Sequence, residues 1–404
     1  MNKLVPFLIT IHCVFAFSPM FSSGIYAAVH VGVMATLAIC ICFNIKSFYG
    51  KQILLYYFLF FTFQLLYFFV GISKGGIYTI CFPLFSFFFS IIITIYCFEN
   101  MQAKELKRLL IIVVFIAFAD ILYNSIFCTI YPHAASESVK DLGLHRINVG
   151  GTKFSHFSLS FFMLSFCMFL ECKKNWLRFL FIILALLSAY YIVLCGQRMT
   201  VIIFLFISIS LLVISKISNK IGIYIVIVAI VAVIVANNME MLLDKFAVNV
   251  ESERIEQRVN SLNNTASSGI DDDSFSGRVF FYRMSLETFF SGFLNFVFGV
   301  GYHQAETSSR YIIGIGGHSQ IFDLLAMYGI IGALLIFGVL KNTYKYMFTI
   351  IEDKRHLTQL SLVFIIFICM SALKYTFDDH NSLLLCFSLP LLYKLIETSN
   401  SKLA

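Results

Sequence analysis

The chain has 404 residues, of which 59% are hydrophobic and only 13% charged, and its mean hydropathy is +0.87. That balance excludes an ordinary soluble globular domain. The net charge of +7 is no argument for nucleic acid, because its distribution along the chain is the one membrane orientation calls for.

Apolar runs fall near residues 4–21, 25–44, 52–70, 77–98, 107–128, 154–171, 176–195, 199–215, 221–237, 317–340, 358–374 and 382–397. Runs of this length fit the hydrocarbon core of a bilayer as helices, whereas a membrane β-barrel would show segments of about ten residues with period two. The expected fold is therefore all-α: a polytopic membrane protein with about 12 transmembrane helices. The first run follows Met1-Asn2-Lys3 and is read as an uncleaved span, because no small-residue cleavage site follows it. Most of the 11 cysteines, including Cys13, Cys97, Cys167 and Cys386, lie inside the runs. They read as small buried hydrophobes rather than as a disulfide framework. Phe87-Phe88-Phe89 reads as lipid-facing packing, and Trp176 as an anchor at the membrane interface.

Lys and Arg set the orientation. With the N-terminus in the cytoplasm, the inside segments hold Lys46, Lys51, Lys104, Lys107, Arg108, Lys173, Lys174, Arg178, Lys216, Lys220, Lys341, Lys345, Lys354, Arg355 and Lys394, among others. The short outside loops hold only Lys74, Arg198 and Lys374. Both termini are expected inside. The division is residues 1–237 for spans one to nine, 238–316 for a large, partly helical loop outside, and 317–404 for spans ten to twelve. In that loop Leu243, Phe246, Val250, Ile255 and Val259 have roughly helical spacing, and 263–276 is rich in Ser, Asn, Gly and Asp. A second helix is expected from about Ser276, with Arg278 and Arg283 opposed to Phe281, Leu286 and Phe289, suited to the membrane surface. Five of the loop's six basic residues are Arg, a choice that favours bidentate contact with phosphate or carboxylate.

Arg198 stands between two apolar runs in Cys195-Gly196-Gln197-Arg198-Met199-Thr200. A guanidinium at that depth is costly in hydrocarbon and makes sense if an anion at the membrane face needs a permanently charged fork. Downstream, Gly314-Ile315-Gly316-Gly317-His318-Ser319-Gln320 brings a histidine to the mouth of the tenth run, and Asp323 follows five residues on. A carboxylate there can orient an imidazole, and a histidine near neutral pKa suits general-base work on a sugar hydroxyl. Taken alone, His318 reads more readily as an interfacial histidine satisfied by backbone. Asp271-Asp272-Asp273 reads as solvated loop and Asp378-Asp379-His380 as a hydrophilic turn, in each case ahead of a metal site.

Taken together, these motifs resemble the O-antigen polymerase and O-antigen ligase superfamily of GT-C-type membrane glycosyltransferases. His318-Ser319 leading into Gly329-Ile330-Ile331-Gly332 looks like the family's histidine motif after its large outer loop. Gly196-Gln197-Arg198 looks like its arginine at the outer end of an earlier span, without the usual serines. Ser276-Gly277-Arg278 and the turn Phe298-Gly299-Val300-Gly301 match a third feature. Arg146-Ile147-Asn148-Val149-Gly150 resembles a fourth, without the Pro-Asn pair that often follows it.

The resemblance covers about 146–332 and implies a bacterial inner-membrane enzyme whose site faces the periplasm. Its donor would be a glycan on undecaprenyl diphosphate, with no cofactor and no metal. It implies His318, Arg198 and Arg278 as catalytic residues. Arg146, Arg283, His303, Arg310 and Asp323 would contact substrate. Partners would be the lipid-linked oligosaccharide, membrane lipids and a chain-length regulator, with no nucleic acid. A polymerase is the leading expectation and a ligase to lipid A–core the second. A flippase for lipid-linked sugars is the rival from another class, although no inverted repeat is visible.

Overall fold

The computed structural model describes residues 4–17, 25–73, 77–130, 151–172, 174–194, 273–302, 319–373 and 379–401, together with isolated positions at 204, 207–208, 210–211 and 315. Every regular element among them is a helix: α1 (Leu4–Phe17), α2 (Ile25–Cys42), α3 (Phe48–Phe69), α4 (Ile77–Asn100), α5 (Ala103–Ile130), α6 (Gly151–Glu171) and α7 (Asn175–Leu194), then α8 (Asp273–Phe290), α9 (Phe293–Phe298), α10 (Gln320–Ile350), α11 (Lys354–Leu373), α12 (Asp379–Ser382) and α13 (Leu389–Ser401). A π-helical stretch, Leu383–Ser388, joins the last two. Among the described residues, α3, α5, α7, α10 and α11 contain stretches long and apolar enough to cross a membrane. The chain is a helical membrane protein. The expected runs and the observed helices coincide closely over α1 to α7.

Polarity is arranged inside out. Phe7, Phe115, Phe179 and Phe337 face outward, while His12, Ser90, Thr94, Asn124, Ser160 and Asn381 are buried. Lipid gives no hydrophobic reward for helix association, so interhelical hydrogen bonds and close packing must supply it. The ring nitrogens His12 Nδ1 and His30 Nε2 lie 2.8 Å apart between α1 and α2. Ser160 on α6 donates to Asn381 Oδ1 at 2.5 Å, and the hydroxyls of Ser90 on α4 and Ser382 on α12 are 2.9 Å apart. Thr94 donates to the carbonyl of Cys386 within the π-helical stretch. A π-turn widens the helix and frees such carbonyls, and a neighbouring hydroxyl takes up this one.

Two expectations are corrected. Phe87, Phe88 and Phe89 do not face lipid, since all three are buried. α4 is enclosed on several sides, by α2, α3, α12 and the π-helical stretch. Phe87 stacks on Phe367, Phe88 meets Tyr57 and Phe60 edge-on, and Phe89 stacks on Phe85. The segment from Asp379 on is not a hydrophilic turn: it is helical, with His380 against the rings of Phe17 and Phe157 and with Asn381 and Ser382 buried. α10 continues beyond the tenth apolar run to Ile350, with Lys341 and Lys345 exposed. Trp176, in the first turn of α7, is exposed.

At the end where Lys and Arg collect, side chains from one helix clasp the turn between two others. Glu99 on α4 accepts from the backbone N–H groups of Lys46 and Ser47 and so caps the start of α3. On α13, Lys394 donates to the carbonyl of Ile350, and Glu397 accepts from the N–H groups of Glu352 and Asp353, so one residue pair holds both sides of the α10–α11 turn. His356 sits between Glu397 Oε1 (3.3 Å) and Glu171 Oε2 (3.2 Å), and Arg355 pairs with Glu171 at 2.9 Å. Removing one partner of such a buried group leaves the others uncompensated. Glu397→Ala should therefore destabilise the protein by about 3 kcal/mol or more, seen as a lowered thermal unfolding temperature in detergent. An unchanged Tm would remove the clasp.

Candidate functional site

The site is built where α3, α8, α9 and the start of α10 meet. Ser319 N-caps α10: its Oγ accepts from Phe322 N at 3.2 Å, and its carbonyl accepts from Asp323 N at 2.9 Å. The helix then breaks at Gly329, whose φ is 61° and ψ −164°. The break frees carbonyls that no later turn of the helix satisfies, and in a membrane they need partners. The turn after α9 supplies them, Val300 N donating to Ala326 O at 3.0 Å and Gly301 N to Met327 O at 2.8 Å.

The two backbones approach too closely for side chains. A Cβ on Gly299 would stand 2.4 Å from the carbonyl of Met327, and one on Gly329 2.4 Å from that of Val297. Both glycines also have positive φ, 75° and 61°. The last turn of α3 and the residues after it seal the junction. Tyr67 donates to Phe298 O at 2.5 Å, Ser73 Oγ accepts from Tyr302 N at 2.9 Å, and Gln64 donates to the hydroxyl of Tyr328 at 3.2 Å. Burial pushes the phenol of Tyr302 above its ordinary value, so it is neutral at physiological pH. The Phe-Gly-Val-Gly and Gly-x-x-Gly motifs, 30 residues apart in the sequence, are thus two halves of one joint.

α8 lies against the first turns of α10. Tyr282 meets Phe322 edge-on at 5.8 Å, Phe289 is buried, and Ser285 donates its hydroxyl to Oδ1 of Asp323. Of the expected site residues, Asp323 is thus placed in the first turn of α10, 1% exposed. Arg278 is in the first half of α8, its side chain outside the described residues. Arg283 is on the same helix, with Nε 2.6 Å from Glu287 Oε1 and a side chain 74% exposed. An ion pair that open contributes little to stability. Arg283→Ala should leave Tm unchanged while raising the donor KM, a split measurable on one preparation. Arg146, Arg198, His303, Arg310 and His318 lie outside the described residues, as does the helical pattern of 239–262.

Ile315, three residues before His318, has φ 48°, a conformation that a β-branched residue adopts only under constraint. Strain of that kind gathers at functional sites. Sequence reasoning missed Tyr67, Ser73 and Ser285, because nothing in a local pattern says that a serine or tyrosine will meet a backbone more than two hundred residues away, or a carboxylate on another helix. The Gly-x-x-Gly motif was a signal, but for the joint rather than for chemistry.

These features define a helical membrane protein whose described site is a broken helix head braced by α8. Residues 183–337 match a family model described as O-antigen ligase, so over that segment the chain is similar to the O-antigen polymerase/ligase superfamily. That match implies a membrane glycosyltransferase-like enzyme. No curated protein matches the chain.

Proposed function

We propose that the chain is an inner-membrane polysaccharide polymerase of the O-antigen type. It transfers a growing glycan from undecaprenyl diphosphate to the non-reducing end of another lipid-linked repeat unit. The observation that carries this reading is the family match over 183–337, which takes in Arg198, Arg278, Arg283, His303, Arg310, His318 and Asp323 and leaves only Arg146 upstream. In this reading the chain crosses the membrane 12 times, 1–237 forming nine spans and 317–404 three, with both termini cytoplasmic and 238–316 in the periplasm. The distribution of Lys and Arg supports that orientation.

The reaction needs two things at one membrane face. His318 takes the proton of the acceptor hydroxyl as its oxygen attacks the anomeric carbon, and the bond from that carbon to the diphosphate breaks with inversion. Arg198 and Arg278 neutralise the departing undecaprenyl diphosphate, with Arg146, Arg283 and Arg310 along the approach and His303 at the acceptor side. Asp323 orients the imidazole. Substrate, membrane lipids and a chain-length regulator are the partners.

The second reading is a ligase that moves the finished glycan to lipid A–core. It uses the same donor chemistry, and the family match supports it equally. The Phe-rich sequence and the serine after His318 incline us to the polymerase. A carrier has no support in the match. Purified protein given synthetic lipid-linked repeat units separates the readings: chain lengthening supports the polymerase, and transfer to core lipid the ligase. Movement across the bilayer without bond formation would overturn both.

A further inference from the structure

α8 and the head of α10 are joined by a polar pair that no motif announces. Ser285 and Asp323 are both buried, at 0% and 1% exposed, and the serine hydroxyl donates to Oδ1 of the carboxylate. A carboxylate withdrawn from water needs donors, and a hydroxyl given to an ionised oxygen is among the stronger hydrogen bonds available to a side chain. Asp323 also stands in the first turn of its helix, where the aligned peptide dipoles favour negative charge.

The placement gives the pair a reach beyond itself. Position 285 follows position 278 by two helical turns on α8, so both lie on one face of that helix. Asp323 is tied through its own N–H to the carbonyl of Ser319, the residue after His318. Beside the pair Tyr282 of α8 meets Phe322 of α10 edge-on, and further along α8 the buried Phe289 packs against Phe296 of α9.

We propose that Ser285 is a positioning residue for glycan transfer: by holding the Asp323 carboxylate it sets the register of the helix bearing Arg278 against the segment opened by His318. The proposal rests on the transferase reading above and adds to it a residue that touches no reacting atom. Ser285 acts through Asp323, and a displacement of the order of an ångström between base and leaving-group clamp costs rate far more than it costs binding.

The test compares wild-type, Ser285→Ala, Ser285→Thr, Asp323→Asn and the Ser285→Ala/Asp323→Asn double variant, purified and reconstituted with a synthetic lipid-linked repeat unit. Ser285→Ala should lower kcat roughly 10- to 100-fold with the donor KM unchanged. Ser285→Thr, which keeps the hydroxyl, should recover most of the loss. The double variant should be no worse than the weaker single variant, because residues that act as a unit are not additive. Full kcat in Ser285→Ala, or a loss that threonine does not rescue, overturns the positioning role. So does a fall in activity that only follows thermal unfolding of the variant. A wild-type protein with no transfer at all overturns the transferase reading and the positioning role together, whereas an active wild-type with an unaffected Ser285→Ala overturns the positioning role alone.

Discussion

Replacing His318 with alanine should reduce glycan transfer by about 10²- to 10⁴-fold, the range a positioned general base contributes. A sugar hydroxyl is a poor nucleophile until its proton has somewhere to go, and an imidazole is the side chain whose ordinary pKa lies nearest working pH. His318 precedes Ser319, whose hydroxyl and carbonyl begin α10 and do not depend on the side chain before them. The variant should therefore fold and keep its Tm, and donor binding should survive because the arginines are intact. The measurement is the length distribution of products from lipid-linked repeat units, beside a thermal melt of the same sample. Full transfer by His318→Ala would remove the base assignment and leave the arginine clamp to carry catalysis alone.

The second large effect belongs to the joint between the Gly-x-Gly turn and the broken head of α10. Gly299→Ala and Gly71→Ala form a matched pair. Both glycines have positive φ, 75° and 77°, so an alanine at either is strained, and at 299, where ψ is −178°, the conformation is one essentially reserved for glycine. A Cβ at position 71 meets nothing within 4 Å, whereas one at 299 meets the backbone of Met327 at 2.4 Å. Backbone cannot step aside as a flexible side chain can, so the turn must lift from α10 and release the carbonyls of Ala326 and Met327 into an environment without water. Gly71→Ala should cost only its own backbone strain, about 1–2 kcal/mol. Gly299→Ala should cost about 4 kcal/mol or more, at the extreme of single substitutions, and abolish transfer because α8 loses its footing on α10. Equal melting temperatures for the two variants would show that the turn does not dock.

Much of the architecture could be read directly because hydropathy is a local property. Twenty apolar residues declare a span whatever surrounds them, and α3, α5, α7 and α11 fall where such runs lie. Their interior contacts could not be read in that way. His12 and His30, or Ser160 and Asn381, look like isolated polar residues in apolar runs until the fold shows which helices are neighbours. Phe87, Phe88 and Phe89 were misjudged for the same reason, since an all-apolar helix looks alike whether lipid or protein surrounds it. At the site, Asp323 was visible as a single acidic residue near the start of the tenth apolar run. Ser285 was not, because serine is as common on a solvated loop helix as in a buried contact. The glycines of the joint were visible as motifs, but their function as mutual backbone contact depends on a break in α10 that no helical periodicity announces.

The polar lining of α12 bears on how the molecule comes into being. Asn381 finds its partner 221 residues earlier in the chain, and Ser382 finds its own 292 residues earlier. Until the segment from Asp379 to Ser401 is inserted, Ser90 is without its contact to Ser382 and Ser160 without its contact to Asn381. Membrane insertion of this protein is thus not a sequence of independent events. The contacts that Asn381 and Ser382 make with the early helices can form only after this late segment has joined them.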